Sequence, residues 1–184
     1  EMDCEVVRYQ TAGDDQSKIA DEIREAWKEA DLILTTGGVS VGEKDLLPGV
    51  IENLTGNVLF HGIQVKPGMP TMLSVVKGTP VLSLSGNPFA VEALFEVLAG
   101  GYLTDMEASR YLQKNQMKVL KQTFVKTGKM KRIVKGRCDE SGVYLPQIQK
   151  NGQLKNGIGS NCLVIFPEGE RTYAEGEGVR VIRI

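Results

Sequence analysis

Residues 31–45 read DLILTTGGVSVGEKD, an apolar run that passes straight into two glycines, a serine, a third glycine and an aspartate. A tight turn alone needs one Gly, or an Asn-Gly or Asp-Gly pair. Here Gly37, Gly38 and Gly42 are spread over six positions, with small hydroxyls kept at Thr35, Thr36 and Ser40. Such a stretch lets something approach the backbone closely. Its first part, DLILTT, has the character of a short strand buried on both faces of a parallel sheet.

Working outward, the segment before it predicts a strand at 4–9 and a helix capped by Asp15 or Ser17, with Ile19, Ile23, Ala26, Trp27 and Ala30 on one face. The chain enters the strand pattern at Cys4–Tyr9 with no leading turn, so an earlier part of the domain is expected to precede Glu1. After the glycine-rich loop come a helix in LLPGVIENL and strands in NVLFHGIQV, TMLSVV and PVLSLS. A Gly78-Thr79 turn is expected between the last two, and NPFAVEALFEVLAGGYL reads as a helix with Pro88 in its first turn. Strands alternating with helices define an open α/β sheet, which binds ligands beyond the carboxyl ends of its strands. The loops 36–42 and 85–88 lie at such ends, and KPGMP at 66–70 is a third candidate for the same crevice.

From about residue 104 the pattern changes. Residues 109–137 hold ten Lys or Arg and no acid, and the rest of the chain reads as short β runs separated by turns. That predicts a small β-barrel or sandwich. The fold expected is thus α/β, an open mostly parallel sheet flanked by helices over 1–107, followed by a small all-β barrel over 108–184.

Composition excludes several classes. The net charge of −1 gives no global case for nucleic acid or membrane binding, and no apolar run approaches the roughly 18–20 residues a span needs. The basic stretch carries only Tyr111 and Phe124 for base stacking, which favours a solvated strand face. Three scattered cysteines and one histidine argue against a zinc site or a disulfide framework, and for a cytoplasmic, reducing location. Gly37 and Gly42 have P-loop spacing, but Glu43-Lys44 follows where Lys and then Ser or Thr are required. Ser40 and Ser85 lack a nucleophile elbow. His61 lies in an apolar strand with no acid or Cys nearby in sequence and takes no role.

Three polar positions remain. Asp45 either caps the following helix or holds Mg2+ against phosphate oxygens, since that ion takes one or two carboxylates plus phosphate and water. Lys66 is stiffened by Pro67 and Pro70, with Gly68 permitting close approach, and a fixed ammonium suits an oxyanion. Ser85-Gly86-Asn87-Pro88 offers hydrogen bonds from a turn in which Asn87 caps the next helix.

Taken in order, TTGGVSVGEKD, VKPGMP and SLSGNP resemble the MoeA/gephyrin family of molybdopterin molybdenumtransferases. Residues 1–107 resemble its MogA-like molybdopterin-binding domain, and 108–184, notably NGQLKNGIGSNCLVIFPEG and EGEGVRVIRI, its C-terminal β-barrel. The resemblance implies an enzyme of molybdenum cofactor biosynthesis that takes adenylylated molybdopterin and molybdate as substrates. With Mg2+ it releases AMP and molybdenum cofactor. Carried over motif by motif, Thr36, Gly37, Gly38, Ser40 and Gly42 would cradle the pterin phosphate. Asp45 would be the carboxylate at metal and reaction centre, and Lys66 would hold the anionic substrate, beside Pro67 and Gly68. Ser85, Gly86, Asn87 and Pro88 would close the pocket floor. The family also implies a homodimer in the full-length protein and the adenylyltransferase as a partner, without nucleic acid or membrane.

Two positions depart from the common motif: Met69 stands where many members have a second lysine, and Ser85 where many have proline. The resemblance also implies an upstream strand with a Gly-Asp-Glu motif and two further domains, so this chain alone is expected to be a poor catalyst. The alternative functions are a molybdopterin-binding or scaffolding module without turnover, and an adenylyltransferase of the sister type.

Overall fold

A computed structural model of the chain describes residues 4–40, 45–100, 115–146 and 159–184. The chain divides into two compact units, one of residues 1–63 and 68–91, the other of 64–67 and 92–184. The expected boundary at 107/108 lies outside the described residues.

In the first unit, α1 (Gln16–Ala26) starts at Asp15, whose carboxylate accepts from the Ser17 and Lys18 amides at 3.0 and 3.2 Å. The Lys18 amide is the main reason that this carboxyl is held below its ordinary range. β1 (Ile33–Thr36), α2 (Leu47–Asn53) and β2 (Asn57–His61) follow; after β3 (Val65–Lys66), which belongs to the second unit, come β4 (Met72–Val76) and β5 (Thr79–Leu84). The sheet of this unit has the order β1-β5-β4-β2. Ile33, Met72, Val76 and Val81 on one face pack with Ala20 and Ile23 of α1 and with Leu47, Val50 and Ile51 of α2. Ile19, Ala26, Trp27 and Ala30 lie against this core as their helical spacing requires.

Four expectations are corrected here. The sheet is mixed rather than mostly parallel: β1 and β5 are parallel, but β4 pairs antiparallel with both β5 and β2. The cause is local. Val76 pairs with Thr79 across the two-residue loop Lys77-Gly78, at φ 53° and 91°. Two positive φ values suit the primed turns whose twist matches a hairpin, whereas a parallel connection needs a crossover of a dozen residues or more. The turn is therefore Lys77-Gly78, not Gly78-Thr79. β1 is an edge strand with Leu34 41% exposed, so it is not buried on both faces. Residues 4–12 form no strand; Val6 and Tyr9 are exposed, and Arg8 instead pairs with Glu22 and Glu29 beside α1.

Thr35 and Ser83 are neighbours across β1 and β5, and both hydroxyls are buried without a hydrogen-bond partner among the described residues. A buried unpaired hydroxyl costs about 1–3 kcal/mol, and replacing both by apolar groups of similar shape removes the penalty. The double variant Thr35→Val/Ser83→Ala is expected to be as stable as the parent or about 1 kcal/mol more stable in urea unfolding. A clear loss of stability would mean that the hydroxyls are paired in solution.

α3 (Pro88–Leu94) continues into a π-helical turn at Phe95–Ala99. In the second unit, β6 (Asn115–Val119), β7 (Phe124–Lys126), β8 (Lys131–Cys138), β9 (Val143–Tyr144), β10 (Cys162–Phe166), β11 (Arg171–Tyr173) and β12 (Gly178–Arg183) follow. One sheet has the order β3-β8-β10-β12-β6 with β9 beside β8, and β7 pairs with β11 as a separate ribbon. The all-β reading holds for the described residues 115–146 and 159–184, but no continuous barrel closes among them. The reason is in the pairing: the strand ladder runs from the two-residue β3 to β6, β9 meets the residue after β6 only through a single bridge, Leu120 to Val143, and β7 and β11 pair with each other. Its core joins Val134, Val164, Val179 and Val181 to Phe124, Phe166 and Tyr173. Phe166 stacks on Phe124 at 4.5 Å and meets Tyr173 edge-on at 4.8 Å. Cys138 and Cys162 are free and buried in this core, and burial, with Cys138 beside it, pushes the Cys162 thiol up to about 12. Among the described residues no helix is long and apolar enough to cross a membrane.

Candidate functional site

The parallel pair β1 and β5 brings two of the three sequence motifs together. Thr36 is opposite Leu84, and one residue further on the Gly37 amide donates to the Leu84 carbonyl at 2.9 Å. The two loops therefore leave the carboxyl ends of the strands side by side. Gly86 lies close enough that a Cβ there would sit 3.6 Å from the Gly37 Cα. Gly37 and Gly38 both have positive φ, 85° and 66°, which non-glycine residues adopt only with strain. A Cβ on Gly37 would meet nothing within 4 Å, so the space over this turn is open.

The turn is anchored at three successive residues. Gly37 is tied to β5 as above. The Gly38 carbonyl accepts from the Leu47 amide of α2 at 3.1 Å. The Val39 side chain is only 1% exposed within the core, and its carbonyl accepts a 2.8 Å hydrogen bond from His61 Nε2 at the end of β2. Thr36 and Ser40 are exposed around this anchored turn. Gly42 lies outside the described residues.

Asp45 is half-buried and stands just before α2. The residue in the N-cap position is Leu46, which makes no side-chain capping bond, so Asp45 lies one residue upstream of the cap. In the other loop Ser85 is half-buried and Gly86 and Pro88 are exposed. Asn87 caps α3 as its position predicts, its Oδ1 accepting from the Ala90 amide at 3.1 Å.

The third motif is divided between the two units. Gly68 belongs to the first, where its carbonyl accepts from Thr71 Oγ1 at 2.7 Å and its φ is 103°. Met69 is exposed, and its carbonyl accepts from Ile63 and Thr71, closing the base of the loop. Lys66 and Pro67 belong to the second unit. There Lys66 is the exposed second residue of β3, paired in parallel with Arg132 of β8. The single strand expected over NVLFHGIQV, with a loop from Lys66, is instead broken after His61 into β2 and the separate β3, which two residues of pattern cannot distinguish.

The described part of the loop 35–45 offers oxygen donors only: the Asp45 carboxylate, the Thr36 and Ser40 hydroxyls and backbone groups. No group of three or more His, Cys, Asp or Glu side chains converges among the described residues. A single carboxylate with hydroxyls does not make a protein cage for a cation. It suits Mg2+ shared with an anionic substrate, because that ion keeps water and phosphate oxygens in its shell.

A sheet whose glycine-bearing loops crowd at the carboxyl ends of its parallel strands is the arrangement in which open α/β folds bind ligands, and comparison with known proteins narrows the class. Residues 1–105 match the family described as "Probable molybdopterin binding domain", and the chain belongs to that family. It is 29% identical over 98% of its length to the molybdopterin molybdenumtransferase of Staphylococcus aureus strain COL. It is 27% identical over 97% of its length to that of Staphylococcus epidermidis. It spans 44% of the length of each of these curated relatives. Among solved structures, the MoeA molybdopterin biosynthesis protein of Pyrococcus horikoshii superposes with a TM-score of 0.75 at 28% identity, covering 92% of this chain and 41% of that one. A molybdenum cofactor biosynthesis protein of Pyrococcus furiosus shares the fold, with a TM-score of 0.69 at 24% identity over 93% of this chain and 55% of that one. The family resemblance read from the three motifs therefore stands.

Proposed function

We propose that this chain supplies the molybdopterin-binding and metal-insertion machinery of a molybdopterin molybdenumtransferase, which takes adenylylated molybdopterin and molybdate to molybdenum cofactor and AMP. The observation that carries the reading is the contact of the Thr36–Ser40 turn with the Ser85–Pro88 turn at the ends of β1 and β5. The open backbone at Gly37 and Gly38 admits the pterin phosphate, and the Thr36 and Ser40 hydroxyls donate to its oxygens, as does Gly42. Ser85, Gly86, Asn87 and Pro88 form the floor beneath it. Asp45 holds Mg2+, which supplies charge neutralisation at the diphosphate when bound. To Lys66 we assign contact with the oxyanion, and Pro67 and Gly68 shape the backbone around it. The reaction assigned needs positioning and charge, not a covalent enzyme intermediate. A cytoplasmic homodimer of the full-length protein belongs to the same reading.

The test is molybdate-dependent AMP release from adenylylated molybdopterin, measured on this chain and on the full-length protein that carries it. Because the chain spans 44% of its relatives, a second reading is a binding module. Molybdopterin binding without AMP release from the full-length protein would select it, and adenylylation of molybdopterin from ATP would select the sister activity.

Lys66→Ala is expected to weaken molybdate or phosphate-ligand binding by about 1.5–3 kcal/mol, the scale of one charge-assisted hydrogen bond. Met69→Lys, which adds the cation found in many members, is expected to tighten it. Calorimetric titration of both variants checks this. Unchanged affinity in Lys66→Ala would remove that residue from the site.

A further inference from the structure

We propose that His61 is a positioning residue for the glycine-rich turn, holding the Val39 carbonyl through its Nε2–H so that Ser40 is fixed for the anion. The inference rests on reading this turn as the pterin-phosphate site.

The geometry assigns the proton. A carbonyl oxygen can only accept, so the 2.8 Å contact from Nε2 to the Val39 oxygen requires a hydrogen on Nε2. Both the neutral Nε2–H tautomer and the imidazolium meet that requirement. The bond crosses 22 residues of sequence and joins β2 to the turn after β1. These strands are the opposite edges of the four-stranded sheet, so the pin reaches the turn from a side that the ladder does not.

Each anchor of the turn does a different job. The Gly37 amide is held by β5 and the Gly38 carbonyl by α2. Val39 is buried and its neighbour Ser40 is exposed. Burial of Val39 fixes where its side chain sits but leaves its peptide group free to rotate. The hydrogen bond from His61 removes that rotation and so sets the direction in which Ser40 leaves the core. A single side-chain to backbone hydrogen bond contributes only about 1 kcal/mol net to global stability. Its consequence is local order, and local order at a binding turn is read as affinity.

The experiment uses the full chain with His61→Leu, which removes the donor, and His61→Gln, whose side-chain amide offers N–H near the Nε2 position. Three quantities are measured: the melting temperature, amide exchange at Gly37 and Leu47 by NMR, and the affinity for molybdopterin. In His61→Leu the melting temperature is expected to stay within about 3 °C, with exchange at the two amides about tenfold faster and affinity about tenfold weaker, the scale of one net hydrogen bond. His61→Gln is expected to recover most of both losses, which a side chain acting by bulk alone would not do. Unchanged exchange and affinity in His61→Leu would overturn the proposal, as would a Gln variant no better than Leu. A parent chain that does not bind molybdopterin at all would overturn the binding-site reading first, and that outcome is visible before any variant is made.

Discussion

Asp45→Asn is expected to lower molybdate-dependent AMP release by the full-length protein about 10²-fold or more, the loss typical of one electrostatic catalytic group. The substitution keeps the shape of the side chain and any capping ability, since Asn caps a helix about as well as Asp. It removes only the charge. Two observations make this a sharp test: the N-cap of α2 is Leu46, and no other described residue of the loop 35–45 carries a carboxylate. A helix-capping Asp45 would predict little change in either stability or turnover. A cation-binding Asp45 predicts an intact thermal melt, near-normal pterin affinity, and a turnover defect that shifts with added Mg2+. Steady-state kinetics across a Mg2+ series, with a melt of each protein, separates the two. Near-normal turnover would leave the proposed site without its acid.

Lys126→Met is expected to destabilise the second unit by about 3 kcal/mol or more, because it strips the donor from two backbone carbonyls. Lys126 is 1% exposed, and its ammonium donates to the Gly128 carbonyl at 2.8 Å and to the Gly169 carbonyl. The two loops it joins also hold each other, Gly128 donating to Glu170 at 3.1 Å and Gly169 to the Lys129 carbonyl at 2.8 Å. Methionine matches the length of lysine and fills the same volume, so packing is largely kept while both acceptors lose their partner. The effect should reach the main sheet, since Phe124 and Tyr173 of the ribbon pack on Phe166 of β10. Amide exchange at Val134 and Val164 reads it directly, and a loss below about 1 kcal/mol would show that water satisfies the two carbonyls.

The two tests draw on residues that were not equally legible. Asp45 stood out because a carboxylate follows a run of glycines and hydroxyls, a local pattern. Lys126 did not; within ten basic residues spread over 109–137 nothing marks the one that is buried. His61 takes no role on sequence alone because no acid or Cys lies near it there, and its partner in the fold, Val39, is 22 positions away. The strand expected at 4–9 failed for a related reason. Alternation reports which residues suit a half-buried strand, but a strand exists only where another backbone accepts its hydrogen bonds.

By itself the sequence determined the helices and most of the strands, the Asn87 cap, the choice of Asp15 or Ser17 as the other, the α/β-then-β order and the family, through the order of its three motifs. These are local properties, written in side-chain periodicity, cap chemistry and the placement of glycine. Only the tertiary structure decided the direction of β4, the strand order of the second sheet, and the meeting of Gly37 with Leu84 and Gly86. It also decided the pinning of Val39 by His61 and the burial of Lys126. Each of those depends on which distant backbone or side chain supplies the partner, and hydrophobic pattern records the demand for burial without naming what meets it.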